Sequence, residues 1–473
     1  MGAKGKSIAW IERQPSEQQS SEQPVPEQQM IVVDRGLPGD VVDLQVTRRR
    51  KTHLEAKVVK IHQVSEQRVE PFCQHFGACG GCKWQDLPYS DQLHYKQKAV
   101  WTALESVQQR TPFEFRDILA SPLTYHYRNK LEFTFSNRRW LTQAEIESGQ
   151  RFDRHNALGF HAPGRFDKVI DIETCYLQPD PSNAIRRSLR SFALEHQLEF
   201  YDAKAHQGLL RTLMIRTSST GEIMVVVVFH ANDRSAIQAV MQHLADTFPQ
   251  ITALLYTINP KLNDTLSDLD MLTWRGQDFI TERLGDLKFR IGAQSFFQTN
   301  TIQALKLYQQ VLQLAGLTGQ ETVYDLYTGT GTIANFVAHQ SAKVVGIEYV
   351  AAAIEDAQEN SRLNGIHNTR FFAGDIKEVL NPEFVEREGK PDVLITDPPR
   401  AGMHPDVVQS ILSAQPDRIV YVSCNPQTQA IDLQLLQRQY QVQVVQPVDM
   451  FPHTYHVETI ALLQRISPHI MSG

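Results

Sequence analysis

The sequence predicts an α/β protein, with a doubly wound, Rossmann-like domain at residues 291–473, a small β-barrel at 1–63 and a mixed α+β central domain at 64–290 between them. Three observations carry this expectation. From about residue 291 strand-like and helix-like segments alternate, the pattern of a mostly parallel sheet covered by helices. Short segments between residues 30 and 61 alternate apolar and polar side chains, as the strands of a small barrel do. A chain of 473 residues has room for about three domains of ordinary size.

Taken in order, Gln14 to Gln29 consists only of Gln, Pro, Ser, Glu and Val, which leaves little to bury and predicts a disordered insertion at 14–29. Met30–Asp34, the Gly36-Leu37-Pro38-Gly39 turn, Val41–Val46 and Leu54–Ile61 then read as strands and turns of the barrel. The run Arg48, Arg49, Arg50, Lys51 falls at a hairpin, where a barrel of the oligonucleotide-binding kind can grip phosphates. A solvated turn is the bland reading of the same run. Tyr89–Arg110 has apolar residues at Leu93, Val100, Leu104 and Val107 and predicts a helix capped by Ser90. Between 120 and 290 the pattern is mainly strand, at Lys130–Ser136, Arg211–Thr217 and Ile223–Phe229, with one helix at about Ser235–Phe248. The alternating region follows: strands at Thr322–Tyr327, Lys343–Glu348, Thr369–Ala373, Val393–Thr396 and Arg418–Val422, helices between them, and a final strand pair at Tyr440–Asp449 and Val457–Leu463.

Composition narrows the function classes. Hydrophobic residues make up 41% and charged residues 21%, which excludes wholesale disorder and fibrous repeats. No apolar run reaches membrane length and Met1–Trp10 carries no apolar signal core, so neither secretion nor membrane association is expected. Five cysteines are too few for a disulfide framework and odd in number, which points to a reducing cytoplasm. The net charge of -6 does not nominate a nucleic-acid binder, but residues 1–10 and 31–62 hold nine Lys or Arg against four Asp or Glu. A cytoplasmic monomer is expected.

Asp325-Leu326-Tyr327-Thr328-Gly329-Thr330-Gly331-Thr332 follows a strand and opens a helix, so its glycines permit a tight turn and close approach of a ligand. It lacks both the Gly-Lys-Ser/Thr ending of a phosphate loop and the third glycine of dinucleotide spacing. Glu348 ends the next strand and can accept from both ribose hydroxyls, and Asp375 ends the third. Three strand-end carboxylates beside a glycine turn suit a nucleoside ligand without phosphates, such as S-adenosylmethionine. Taken singly, each carboxylate could merely cap the following helix. Asp397 in Thr396-Asp397-Pro398-Pro399-Arg400 and Cys424 in Ser423-Cys424-Asn425-Pro426 end two further strands, expected to be neighbours. Cys424 precedes a helix whose positive end stabilises a thiolate, which favours a nucleophile over a buried small hydrophobe.

These motifs, together with Ser295-Phe296-Phe297-Gln298-Thr299-Asn300, Asp449-Met450-Phe451-Pro452-His453-Thr454 and His456-Val457-Glu458, resemble the S-adenosylmethionine-dependent RNA uracil-C5 methyltransferases, particularly their iron-sulfur 23S rRNA branch. The resemblance spans essentially the whole chain and implies a class I methyltransferase domain and an N-terminal RNA-binding barrel of the TRAM type. Thr328 stands where many members have cysteine. The chemistry explains the residue types. Carbon 5 of uracil is too weak a nucleophile to take a methyl from a sulfonium, so a thiolate first adds at C6 and makes C5 an enolate carbon. The resemblance implies Cys424 as that thiolate, Asp397 as the acceptor of uracil N3–H, and Glu458 as the base that removes the C5 proton. It also implies cofactor contacts from Gln298, Tyr327, Gly329, Gly331, Glu348, Asp375 and Asp397, with Phe296 or Phe297 lining the pocket or joining the core. The target base must be unstacked to enter.

Cys73, Cys79 and Cys82, with Cys175 far downstream, can make a four-sulfur metal site, and their spacing does not choose between zinc and iron-sulfur. The resemblance, through Pro71-Phe72-Cys73, Gly81-Cys82-Lys83-Trp84 and Glu173-Thr174-Cys175, implies a [4Fe-4S] cluster that fastens an RNA-binding surface. Tyr127-Arg128-Asn129-Lys130 is a candidate RNA contact beside it. The expected partner is RNA, 23S rRNA by resemblance, with tRNA as the alternative for the same chemistry. A non-catalytic RNA-binding iron-sulfur protein or an exocyclic-amine methyltransferase would have no use for Cys424 and Glu458.

Overall fold

The computed structural model describes residues 1–2, 5–12 and 28–466. Near the N-terminus β1 (Ser7–Glu12), β2 (Gln28–Asp34), β3 (Val41–Arg49) and β4 (Leu54–Gln63) form a sheet in the order β1-β2-β4-β3. Its apolar side buries Ile31, Val33, Leu54 and Ala56. Among the described residues β1 and β3 do not pair, so the expected barrel is here a four-stranded sheet. The expected disordered insertion at 14–29 lies outside the described residues except for Gln28 and Gln29, which open β2 opposite Glu12 and Ile11. Ladder pairing supplies partners for their backbone groups despite the polar composition. The Arg48–Lys51 run caps the β3–β4 hairpin with all four side chains exposed, Arg50 engaging Glu55 at 2.8 Å.

Helix α1 (Tyr89–Arg110) and the short β5 (Glu114–Phe115) follow. Pro88, rather than Ser90, occupies the N-cap position of α1, its ring fixing the entry angle, and Ser90 lies inside the first turn. A second sheet is built from β6 (Lys130–Ser136), β7 (Ala157–His161), β8 (Val169–Asp171), β9 (Leu210–Thr217), β10 (Ile223–Phe229), β11 (Ala253–Ile258) and β12 (Leu272–Gly276), in the order β12-β11-β10-β9-β6-β7-β8. The expectation of one helix in this region is corrected: besides α4 (Arg234–Thr247) there are the short α2 (Gln143–Glu147) and the 14-residue α3 (Ser182–Glu195). Helix α3 buries Ile185, Leu189 and Ala193 beside Ile237, Val240 and Leu244 of α4 against the sheet.

After the hairpin β13 (Phe279–Leu284) and β14 (Leu287–Gly292), helix α5 (Thr301–Ala315) leads into the C-terminal sheet. Its strands are β15 (Thr322–Leu326), β16 (Lys343–Glu348), β17 (Thr369–Ala373), β18 (Val393–Thr396), β19 (Arg418–Ser423), β20 (Tyr440–Val448) and β21 (Glu458–Arg465). The intervening helices are α6 (Thr332–Ala338), α7 (Ala351–Leu363), α8 (Ile376–Val379), α9 (Pro382–Glu388), α10 (Pro405–Ala414) and α11 (Pro426–Leu436). The order is β17-β16-β15-β18-β19-β21-β20-β5, with β15 to β19 parallel and β21 running antiparallel between β19 and β20. Alternate side chains go to opposite faces: Val323, Val344, Ile395 and Val420 meet α5 and α6, while Tyr324, Val345, Leu394 and Tyr421 meet α1, α10 and α11. Burial on both faces is why these strands read as continuous apolar runs.

Residues 89–115, expected in the central domain 64–290, pack elsewhere. Val100, Leu104 and Val107 of α1 are fully buried in the core of the C-terminal sheet beside Leu433 and Leu436, and β5 is that sheet's edge strand, parallel to β20. No helix among the described residues is long and apolar enough to cross a membrane.

Candidate active site

At the carboxyl ends of β15, β16, β18 and β19 opens a cavity of about 1110 Å³. Its walls include Gln298, Tyr327, Gly329, Glu348, Asp397, Cys424 and Glu458. The register explains the meeting of the last three. Strands β18 and β19 are adjacent and parallel, so Asp397 and Cys424 leave neighbouring strand ends on the same side. Strand β21 returns antiparallel with Thr459 opposite Ser423, which sets Glu458 level with Cys424. The two motif loops are tied together, since Asn425 Nδ2 donates to the Arg400 carbonyl at 3.1 Å.

Burial dominates the electrostatics of this trio. It pushes the Asp397 carboxyl up to about 7. Burial, then the neighbouring Asp397, pushes Glu458 up to about 8, with Arg400 opposing. Burial, then the Glu458 and Asp397 charges, pushes the Cys424 thiol up to about 11. The expected thiolate stabilisation by the following helix is therefore outweighed by burial and the neighbouring carboxyls. Helix α11 begins only at Pro426 with Asn425 as its cap, so Cys424 sits outside the first turn, while two carboxyls and a poorly solvated wall act directly on it. Neither carboxyl side chain has a hydrogen-bond partner in the protein among the described residues, and both remain free for a ligand.

The glycine turn divides its labour. Gly329 takes φ 54° with no heavy atom near its missing Cβ and borders the cavity. Gly331 takes φ 75°, but a Cβ there would meet Ala357 and Asn335 at 2.9 Å, so it packs the turn onto α7 and does not line the cavity. Asp325 is fully buried, accepting from the Thr328 hydroxyl at 2.5 Å and Ala334 N–H at 3.0 Å, and burial lifts it to about 7. Glu348 accepts from the N–H groups of Gly329 and Val350 at 3.2 and 3.0 Å while facing the cavity. Asp375 is not on the cavity wall: it caps α8 through Lys377 N–H and pairs with the Lys377 ammonium at 3.2 Å. Phe297 joins the core at 3% exposure, whereas Phe296 borders the cavity at 69%.

Several wall residues were not singled out from the sequence as site residues. Tyr308, Asp356, Phe451 and His456 line the cavity, and burial, Arg400 and other cations hold His456 down at about 4, a neutral imidazole. Of Tyr127-Arg128-Asn129-Lys130, only Arg128 reaches it. Tyr127 is buried with its hydroxyl on the Pro452 carbonyl, Asn129 is buried against Gln298, and Lys130 pairs with Glu132.

Cys73, Cys79, Cys82 and Cys175 line a separate cavity of about 130 Å³, and Arg128 borders both cavities. Burial pushes the thiols of Cys79 and Cys82 up to about 11 and about 12. Among the described residues no three His, Cys, Asp or Glu side chains converge on one point as the ligands of a single metal ion do. The Nε atoms of Arg128, on this cavity's wall, and of Arg186, which donates to the Glu173 carbonyl at 2.7 Å, are buried with no partner among the described residues.

The sequence pattern of tRNA (Uracil-5-)-methyltransferases matches residues 202–466. An uncharacterized RNA methyltransferase of Bacteroides thetaiotaomicron is 55% identical over 92% of this chain and 96% of its own. A second, from Porphyromonas gingivalis, is 52% identical over 90% of this chain and 94% of its own. Among solved structures, the Pyrococcus abyssi tRNA (uracil-54, C5)-methyltransferase in complex with S-adenosyl-L-homocysteine is similar with a TM-score of 0.71 and 29% identity, covering 92% of this chain and 95% of that one.

Proposed function

The chain belongs to the RNA (uracil-5-)-methyltransferase family, S-adenosylmethionine-dependent enzymes of class I fold, and from that premise we propose that it methylates C5 of one uridine in 23S rRNA through a covalent cysteine–uracil adduct. The observation that carries the mechanism is the meeting of Cys424, Asp397 and Glu458 on one cavity wall, both carboxyls without a hydrogen-bond partner among the described residues. Bound S-adenosylmethionine supplies the methyl group and brings a cationic sulfonium into the cavity. Gln298, Tyr327, Gly329 and Glu348 would hold it, Glu348 with lone pairs left over from its two backbone bonds.

A thiol at about 11 is ionised to roughly one part in ten thousand at pH 7, so Cys424 must lose its proton as ligands bind. Added positive charge and the guanidinium of Arg400 both favour that loss. The thiolate adds at C6 of uracil, and C5 takes the methyl. Glu458, which at about 8 is mostly protonated at pH 7, must likewise ionise, and its carboxylate then takes the C5 proton, after which the thiolate leaves C6 and the double bond reforms. Ionised Asp397 accepts from N3–H, which uracil has and cytosine lacks.

The four-thiol cavity fits a [4Fe-4S] cluster held by Cys73, Cys79, Cys82 and Cys175. The methyl transfer contains no redox step, so the cluster acts by fastening the loop. A second reading, methylation of a tRNA uridine, is favoured by the similarity to the Pyrococcus abyssi tRNA (uracil-54, C5)-methyltransferase. Mass-spectrometric mapping of 5-methyluridine in rRNA and tRNA from cells with and without the protein tests both. Loss of one 23S rRNA site is the expected result, and loss confined to tRNA would move the assignment.

A further inference from the structure

Arg186, in the first turns of α3, is completely buried. Its guanidinium donates to the Glu173 carbonyl at 2.7 Å and, distantly, to the Leu158 carbonyl at 3.5 Å, its Nε has no partner, and its Cζ lies 5.7 Å from the Phe133 ring. Among the described residues it forms no ion pair. Asp171, the carboxylate whose field reaches it, is engaged by Arg190 at 2.5 Å. An arginine stays protonated in proteins, and a buried charge without a counter-charge is strongly unfavourable. Replacement by Leu or Met would remove that penalty, so the guanidinium requires an explanation.

The surroundings supply one. Helix α3 grips the Cys175 segment through Asn183, whose side chain accepts from Cys175 N–H at 2.8 Å and donates to its carbonyl at 3.1 Å. The Arg186 bond to Glu173 holds the same segment two residues earlier. Ile172, Thr174 and Cys175, on either side of Glu173, line the four-cysteine cavity, so the Arg186 guanidinium is bonded to the backbone of that wall. With four neutral thiols the cavity offers no negative charge. With four thiolates around a [4Fe-4S]²⁺ core the group carries a net charge of about -2.

We propose that Arg186 is the buried counter-cation of this anionic group, a positioning and tuning residue that makes the cavity electrostatically complete only when the cluster is present. The inference rests on the cluster reading above, and the two fail separately. Arg128, which borders the same cavity and also has a partnerless Nε, sits 5.3 Å from the Phe451 ring at the reaction cavity and is left unchanged in the test.

The experiment compares the full-length parent, Arg186→Met and Arg186→Lys after anaerobic purification, reading iron and sulfide content, the rate of iron release to a chelator, and the midpoint of one-electron reduction. Arg186→Met should release iron at least tenfold faster. Its midpoint should also move to a more negative potential, since reduction adds charge to a group that has lost its cation. Arg186→Lys should fall near the parent on both readouts. A parent without iron overturns the cluster reading itself. An iron-loaded Arg186→Met with parental release rate and midpoint overturns the counter-cation role. Should Arg186→Met not fold, Arg186→Lys and Arg186→Gln carry the same comparison, and equal behaviour of those two overturns the proposal, because only one keeps the charge.

Discussion

Glu458 would act at one step only, removal of the C5 proton, and this separates it from Cys424 experimentally. Glu458→Gln should let the thiolate add and the methyl transfer, then stall, leaving methylated RNA attached to protein. A denaturing gel with labelled RNA and S-adenosylmethionine should show a slow band for Glu458→Gln that disappears when Cys424→Ala is added. Free methylated product at the parental rate would remove Glu458 as base and turn attention to His456 on the same wall. Asp449 and His453, the ionisable residues of the Asp449–Thr454 motif, are not on that wall: Asp449 is buried against Lys96 and His453 packs near Phe72. The same carboxyl makes a stability prediction. Its folded pKa of about 8 lies above the ordinary 4.5, so its contribution is fully present below pH 4.5 and is lost as pH rises through 8. Glu458→Gln, which never ionises, should match the parent near pH 5 and exceed it at pH 8.5 by on the order of a few kcal/mol in urea denaturation. A gap that does not widen with pH would show that Glu458 is not buried in an unfavourable charged form. Asp397 and Cys424 were legible as residue types at strand ends, and Glu458 only through the family resemblance. The pKa pattern of the three was not, because the helix argument for Cys424 omits the two carboxyls that the β21 register brings beside it. Asp375 shows the converse: a strand-end carboxylate looks the same in sequence whether it binds a ligand or caps the next helix, and here it caps.

Helix α1 was readable from its apolar spacing, but its partner was not, since periodicity identifies a face and not what that face meets. The structure seats it on the C-terminal sheet and uses its first turns to hold the loop between β20 and β21. Lys96 and Asp449, both fully buried, pair at 2.6 Å; Lys96 also donates to the Phe451 carbonyl at 2.9 Å, and Tyr89 donates to Asp449 at 2.8 Å. That loop presents Phe451 and His456 to the cavity. Burial lowers the Lys96 pKa, and Asp449 opposes the effect only in part. Lys96→Met leaves a buried carboxylate unpaired and should cost about 3–5 kcal/mol, whereas Lys96→Met with Asp449→Leu should recover most of it. A urea double-mutant cycle measures this, and additive losses would mean that the two side chains are not coupled. Helix α3 escaped notice because charged residues interrupt its stripe: Arg186, Arg187 and Arg190 alternate with Ile185 and Leu189. By contrast Lys343–Glu348 and Thr369–Ala373 match their strands end for end. Parallel strands enclosed between helices leave the plainest signature in sequence.

The chain does not run domain by domain as its sequence suggests. Segment 89–115 crosses to the C-terminal sheet before the central sheet begins, and the cysteine loop docks there too, with Lys83 and Trp84 N–H groups donating to the His453 carbonyl at 2.8 and 3.1 Å. Long-range returns of this kind leave no local signal, which is why the order of segments was legible and their assembly was not. The β3–β4 hairpin stands apart from this arrangement, belonging to a separate small sheet with its own core. Its cations can therefore assist binding without taking part in chemistry. Each phosphate neutralised releases counterions and steepens the salt dependence of binding by about 0.7 to 0.9 on logarithmic axes. Arg50 is already engaged with Glu55, which leaves Arg48, Arg49 and Lys51, without ion pairs among the described residues, as contributors. Replacing Arg48–Lys51 by Gln should flatten the slope by about 2 to 3 and weaken binding most at low salt, where displaced counterions matter most. Single-turnover methylation at saturating RNA should stay at the parental rate, because Cys424, Asp397 and Glu458 lie on a different sheet. Binding isotherms from 50 to 300 mM salt, paired with that single-turnover rate, separate the two effects. An unchanged slope would make the run a solvated turn, and a fallen single-turnover rate with an unchanged slope would mean that the hairpin shapes the reaction cavity instead.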